Sequence, residues 1–323
     1  MRIMNKNAEI KNDCVLILLS SYNGEKYIKE QLDSIFEQIY PVHILIRDDG
    51  SSDGTVDIIQ MYMKKHNNIE LIEGDNIGFI RSFNALVSDE RTEKYKWIAF
   101  CDQDDIWLPD KMEKAIEKLS GLSNEEIPTL YYSNQILYYD QKDSVSGNEA
   151  PNEMRFKKDP RCTKEKEMVT HVASGCTFVF NQAAVQMYKK GINNRMYVHD
   201  WQMFCICEYM GKTIYDQHSY IKYRLHGNNT IGLNDKTIGK GITELVKLIR
   251  TPKPETRVLW FADFLETYGD NLNNEDKEII RTLVEYKKHL KYRMKLLFSP
   301  KYRAYDWKTT MAFKLRTLVG RMY

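Results

Sequence analysis

With 323 residues and 42% hydrophobic side chains, the chain is long enough to bury a substantial core, which excludes a disordered segment or a small stapled module. Its 47 basic and 45 acidic side chains leave a formal charge of +2, so the average charge names no partner. Six cysteines without a C-x-x-C pair, an N-terminus (MRIMNKNAEIKND) lacking an apolar signal core, and no apolar run near ~20 residues point to a reduced, cytoplasmic chain that does not span a bilayer.

Strand-like and helix-like stretches alternate from the start. VLILLS (15–20) reads as a buried strand, and EKYIKEQLDSIFEQ puts Ile28, Leu32, Ile35 and Phe36 on one helical stripe. VHILI (42–46) is a second strand, followed by a DGSSDGT turn and a helix from Thr55 for which Asp53 and Thr55 are candidate caps. IELIEG, a helix over 78–87 and KWIAFC continue the alternation, which argues for a mainly parallel α/β sheet covered on both faces. Further strands are expected at LYYSNQILYY, CTFVF and SYIKYRLH, with helices near 181–190 and 199–210 and a long polar loop over 140–168. Beyond residue 238 only helices are expected, giving a division into 1–237 and a helical region 238–323.

Ligands of open α/β sheets collect at the carboxyl ends of the strands. Those ends carry Ser20, Ser21 and Tyr22, then Arg47, Asp48 and Asp49, then Asp102, Gln103, Asp104 and Asp105 within FCDQDDIWLPDKM. A solvated turn, an acid/base pair or a cation site would each explain that crowd of carboxylates. Convergence of three such rims favours a site for a nucleotide diphosphate, whose oxygens a carboxylate can approach only through a divalent cation.

LLSSYNGEKYIKEQLDSIFEQ, LIRDDGSSDGT, NIGFIRSFN, FCDQDDIWLPDKM, VASGCTFVFN, HDWQ and YRLHGNN, in this order over residues 13–232, resemble the family 2 glycosyltransferases, and most closely bacterial rhamnosyltransferases of cell-wall or surface polysaccharide synthesis. The resemblance implies a GT-A fold, a nucleotide-sugar donor, Mn²⁺ or Mg²⁺ at the D-x-D, and inversion at the anomeric carbon. Ser20 and Tyr22 would lie beside the nucleoside, and Asp48 would accept the base imide N–H. Asp102 would meet the ribose or donor sugar, Asp104 the metal, and Asp105 either the sugar or its own loop. Arg81 would approach the diphosphate unless it is a plain surface arginine, and His226 would return to the metal or diphosphate.

Asp200 in HDWQ matches the family's general base, with a helix N-cap as the competing role, and Gln202 departs from the usual H-D-W-W. Ser174 and Gly175 would let substrate come close to the backbone, or form a turn before a strand. Residues 285–323 hold eleven Lys and Arg against Glu285 and Asp306, interleaved with Leu, Phe, Trp and Tyr. That composition favours an anionic membrane surface on the cytoplasmic side, with packing on the catalytic domain or an oligomer contact as the next reading and nucleic acid set aside.

The expected activity is metal-dependent transfer of rhamnose from dTDP-rhamnose to a lipid-linked glycan, with a UDP-hexose donor as the alternative. A two-metal nucleotidyl or phosphoryl transferase, or a non-catalytic carbohydrate-binding module, would use the same acidic loop without Asp200 as a base.

Overall fold

The computed structural model describes residues 11–121, 126–139, 153–160, 162–192, 198–226 and 256–320. Strand β1 (Lys11–Ser21) carries the reason for the layered architecture in its own side chains. Leu16 and Leu18 enter one hydrophobic layer while Val15, Ile17 and Leu19 enter the other, and none is more than 1% exposed. Successive strand side chains point to opposite faces, so an unbroken apolar run is stable only when both faces are covered.

Strands β2 (Val42–Asp48), β3 (Ile69–Glu73) and β4 (Tyr95–Cys101) join β1 in parallel. Short β5 (Ile106–Trp107) is followed by β6 (Thr129–Tyr139), β7 (Glu153–Met154), β8 (Val179–Asn181) and β9 (Lys212–Leu225). The sheet order is β3-β2-β1-β4-β8-β6-β9-β5, with β7 on β6. Only β5, β7 and β8 run against the rest, so the expected mainly parallel sheet is what forms.

Helices α1 (Ile28–Phe36), α2 (Thr55–Met63) and α4 (Lys111–Ser120) cover one face; α3 (Phe79–Ser88), α6 (Gln182–Lys190) and α7 (His199–Met210) cover the other. Asp53 holds the start of α2 by accepting from Thr55 N at 3.1 Å, although Gly54 occupies the cap position itself. Two expectations change. The stretch expected as loop over 140–168 contains, in its described part, β7, held to β6 where Arg155 N and Phe156 N bond to Gln135 O and Asn134 Oδ1, and the short helix α5 (Lys164–Glu167), capped by Thr163 and tied to Asp276 through Lys164. The strand expected from 219 begins at Lys212, since its first half pairs with β6 over Thr129–Ser133.

Four more helices follow: α8 (Thr256–Tyr268), α9 (Asn274–Val284), α10 (Leu290–Phe298) and α11 (Trp307–Val319). They continue the core that α7 begins. Trp260 stacks on Trp201 with ring centroids 4.1 Å apart, and Lys164 Nζ reaches the buried Asp276 carboxylate at 2.8 Å. Gln202, the departure within HDWQ, donates to Tyr268 Oη at 3.2 Å and so ties α7 to α8. The division placed at 237/238 falls outside the described residues, as do Gly227, Asn228 and Asn229 of YRLHGNN. No helix among the described residues is long and apolar enough to cross a membrane.

Candidate active site

The parallel strands bring the expected rims together, and each is held by its own hydrogen bonds. Ser20 Oγ donates to Ser82 Oγ at 2.7 Å, linking the end of β1 to α3. Asp48, expected to accept from a base, is instead turned inward at 2% exposure. Its carboxylate takes hydrogen bonds from Ser21 Oγ (2.8 Å), Ser51 Oγ (2.6 Å) and Ser51 N (2.8 Å), which fixes the loop after β2. Asp49 forms a buried ion pair with Arg47 and accepts from Ile77 N and Gly78 N, so the NIG turn hangs from β2. Gly78 sits at φ 84°, a conformation that favours glycine, and opens α3. Arg81 follows in the first turn, exposed, with no hydrogen bond or ion pair among the described residues.

Gln103, placed on the rim with no role of its own, joins two of the rims. Its side-chain amide accepts from Tyr22 N at 2.8 Å and donates to Tyr22 O at 3.0 Å, a two-point clamp across 81 residues. Gly24 leaves the space for it, since a Cβ there would lie 2.3 Å from Gln103 Oε1. The clamp presents the Tyr22 ring outward at 46% exposure. A polar side chain next to acidic neighbours gives no sequence signal for such a role.

The three carboxylates of the acidic loop have different settings. Asp102 is half-buried; burial first, then the charges of Asp104 and Asp200, raise its carboxyl to about 7. Asp105, given a share in the donor site, faces the interior at 1% exposure. Its N–H donates to Gln31 Oε1 at 3.0 Å and its Oδ1 accepts from Arg224 N at 3.1 Å, so it steadies the loop between β1's helix and β9. Burial, with Asp104 and Asp102 nearby, holds its carboxyl well above the usual range.

Asp104 points the other way. Its Oδ2 lies 2.8 Å from His226 Nε2, and its backbone oxygen accepts from Arg224 Nε at 2.8 Å. The Tyr27 ring stacks on His226 at 4.8 Å. A carboxylate and an imidazole 122 residues apart in the chain thus meet. Ligand atoms of Asp102, Asp105 and Cys176 also lie within 4.8 Å of one another. Burial, with Asp105 and Asp102 nearby, pushes the Cys176 thiol well above its ordinary range. Oxygen donors with one imidazole fit Mn²⁺ or Mg²⁺. Beneath them Lys111 is buried with Nζ 3.3 Å from the Trp107 ring centroid, and burial lowers its ammonium to about 8.

Asp200 stands across from this loop. It is in the first turn of α7, where Val198 is the cap residue, so the N-cap role does not apply. Its Oδ2 accepts from Gly175 N at 3.1 Å and its Oδ1 from Trp201 N at 2.6 Å. Gly175 has to be glycine: a Cβ would come within 2.9 Å of Asp200 Cβ and 3.1 Å of His199 Nε2. The backbone that was expected to admit substrate is therefore filled by Asp200 itself. His199 is stacked on Phe83 at 3.8 Å, and burial lowers its imidazolium to about 4, so it is neutral. The Asp200 charge also raises the Asp102 carboxyl, so the two lie within electrostatic reach of each other.

Arg155 was also missed, because its segment reads as polar loop. Its Nη1 donates to Ser174 Oγ at 2.6 Å and Gln135 Oε1 at 2.8 Å, and so holds the residue before Gly175. Burial lowers the guanidinium's pKa, and Tyr223, Cys176 and Asp200 oppose that shift.

Residues 16–188, more than half of the chain, match the family described as Glycosyl transferase family 2. The chain belongs to glycosyltransferase family 2. This family 2 enzyme is 31% identical over 227 residues to the dTDP-rhamnosyl transferase RfbG of Shigella flexneri, covering 67% of this chain and 74% of that protein. It is 36% identical over 105 residues to the putative teichuronic acid biosynthesis glycosyltransferase TuaG of Bacillus subtilis, covering 32% and 40% of the two chains. In fold, it matches S. aureus TarS 1–349 with a TM-score of 0.51 at 16% identity over 96% of this chain and 92% of that one. Mannosyltransferase PcManGT from Pyrobaculum calidifontis, solved with GDP-Man and Mn²⁺, matches with a TM-score of 0.50 at 15% identity, covering 95% and 86%. The fold is GT-A, and the enzyme is a glycosyltransferase. Nucleotidyl transfer and a purely binding role are set aside.

Proposed function

We propose that this enzyme transfers a sugar from a nucleotide-sugar donor to a glycan hydroxyl with inversion, and that Asp200 is the general base. The observation that carries the reading is Asp200 itself, held by Gly175 N, whose charge acts on Asp102 together with that of Asp104, the carboxylate that meets His226. An acceptor hydroxyl is a poor nucleophile until its proton is taken during attack. In the proposed step Asp200 accepts that proton, the acceptor oxygen bonds to the anomeric carbon, and the bond to the nucleoside diphosphate breaks with its electron pair leaving on the diphosphate.

Asp104 and His226 would hold a divalent cation, Mn²⁺ or Mg²⁺, which when bound supplies neutralisation of the diphosphate's developing charge. Tyr22 and Arg81, the exposed members of the rim, offer a ring for the nucleoside and a cation for the diphosphate. Asp48 and Asp105 act by fixing their loops. Rhamnose from dTDP-rhamnose is the first choice of donor, supported by the dTDP-rhamnosyl transferase relative; a UDP-hexose is the alternative. Release of dTDP or UDP from a panel of nucleotide sugars with Mn²⁺ or Mg²⁺ tests this. No turnover of any dTDP- or UDP-sugar, with or without glycan acceptors, would overturn it.

A lipid-linked acceptor and a place on the cytoplasmic face of the membrane belong to the same reading. Much of the basic tail packs: Leu296, Tyr302 and Phe313 are buried. What it leaves outside is a stripe on α10, Leu290 (72% exposed), Met294 and Phe298 (73% exposed), four residues apart and beside exposed Lys287, Lys288 and Lys291. Leu290→Glu with Phe298→Glu should abolish sedimentation with phosphatidylglycerol vesicles; unchanged sedimentation would remove the membrane claim.

A further inference from the structure

A cavity of about 680 Å³ lies between Lys158, Asp159, Pro160 and Lys166 on one side and the loop that leads into α11 on the other. Lys158, Asp159, Arg303, Tyr305, Trp307 and Met311 are among the residues that line it. Its size is within the range of roughly 300–1,000 Å³ typical of small-ligand sites. Two of its aromatic rings are unusually open, Trp307 at 71% exposure and Tyr305 at 47%.

A line of contacts joins this cavity to Asp200. The Tyr305 ring meets Phe156 edge-on with centroids 5.3 Å apart, and the Arg155 guanidinium lies 4.9 Å from the Phe156 centroid. Arg155 Nη1 then holds Ser174 Oγ at 2.6 Å, and the next residue, Gly175, holds Asp200. Four contacts and the Ser174–Gly175 peptide bond therefore lead from Tyr305 in the tail to the proposed base.

We propose that this cavity is a subsite for the acceptor glycan. The inference rests on the glycosyl-transfer reading, which requires an acceptor to approach Asp200. A pyranose presents an apolar C–H face and a girdle of hydroxyls. Flat exposed aromatics cover the first, while carboxylates and guanidinium groups at their edge hydrogen-bond the second. Trp307 and Tyr305 beside Asp159, Asp306 and Arg303 supply that combination. A bilayer is the poorer occupant, because the site is concave and brings two carboxylates to the surface, whereas the apolar stripe on α10 lies outside its lining. On this reading the tail contributes to acceptor choice as well as to location.

The test is saturation-transfer NMR on the full chain with three probes at millimolar concentration: methyl α-L-rhamnoside, methyl β-D-galactoside and methyl N-acetyl-β-D-glucosaminide. At least one should receive saturation, with affinity weakened roughly tenfold or more by Trp307→Ala, the effect of truncating an aromatic anchor. Trp307 is exposed, so the variant folds; Met311→Glu is a second variant expected to act in the same direction. Absence of saturation from all three, or saturation that neither variant changes, would overturn the proposal. So would a shift of tryptophan emission, lost in Trp307→Ala, with phosphatidylglycerol vesicles and with none of the glycosides, because the occupant would then be lipid. Binding of dTDP and UDP with Mn²⁺, measured on the same samples, reports the donor site separately, so failure of either reading is seen alone.

Discussion

His226 Nε2 lies 2.8 Å from Asp104 Oδ2, although 122 residues separate them in the chain. Strand β9 pairs with β5, just past the acidic loop, and carries His226 back beside it, while the Tyr27 ring stacks on the imidazole. If the pair holds the metal, chelation abolishes turnover and Asp104→Asn raises the metal concentration for half-maximal rate by about 100-fold or more. His226→Ala raises it less, about 10–100-fold, since oxygen donors and water can replace one imidazole. Metal titrations of donor turnover check both values, and an unchanged requirement in Asp104→Asn would contradict the assignment.

Asp200→Asn should lower kcat by about 10²–10⁴ while nucleotide binding and thermal stability stay near wild type, the range for loss of a general base. Gly175→Ala should reach a comparable loss by a different route. The new Cβ would sit 2.9 Å from Asp200 Cβ, so the carboxylate has to move. Steady-state kinetics beside a melting curve separate the two, because only the glycine variant should also lose stability.

Gln103→Leu removes both hydrogen bonds to the Tyr22 backbone. At about 1 kcal/mol net per bond, loss of the clamp should raise donor KM by roughly tenfold or more with a smaller change in kcat. A variant that lowered kcat alone would show the clamp acting on chemistry instead.

His199 gives the enzyme an acid limit. Burial holds its folded pKa at about 4, below the ordinary value of 6.5, so the unfolded chain binds the proton more readily. The stabilisation of the neutral form is present above pH 6.5 and is lost as pH falls toward 4, a change of roughly 3 kcal/mol. Urea midpoints at pH 7 and pH 4.5 should differ less in His199→Phe, whose ring can still stack on Phe83, than in the wild type.

Periodicity alone located most of the elements. The five-residue apolar run in β1 and the helical stripe of α1 are consequences of side-chain geometry within ten residues of chain, and such local rules are legible in a sequence. The order of the motifs then indicated the family. Reading the segment after residue 140 as loop failed where β7 and α5 are short and owe their form to bonds with distant β6 and α9.

The sequence by itself determined the α/β alternation, the three polar rims at the strand ends and the identity of Asp104, Asp200 and His226 as candidates. Only the tertiary structure decided which carboxylates stay accessible and which are sealed in. Asp102 and Asp105 stand three residues apart, yet one is half-open beside Asp200's charge and the other is sealed against Gln31 and Arg224. That choice depends on where β9 and α1 pass, as Gln103's clamp depends on Tyr22 and Arg155's on Ser174. Each partner lies between 19 and 119 residues away, a distance over which no local pattern carries information.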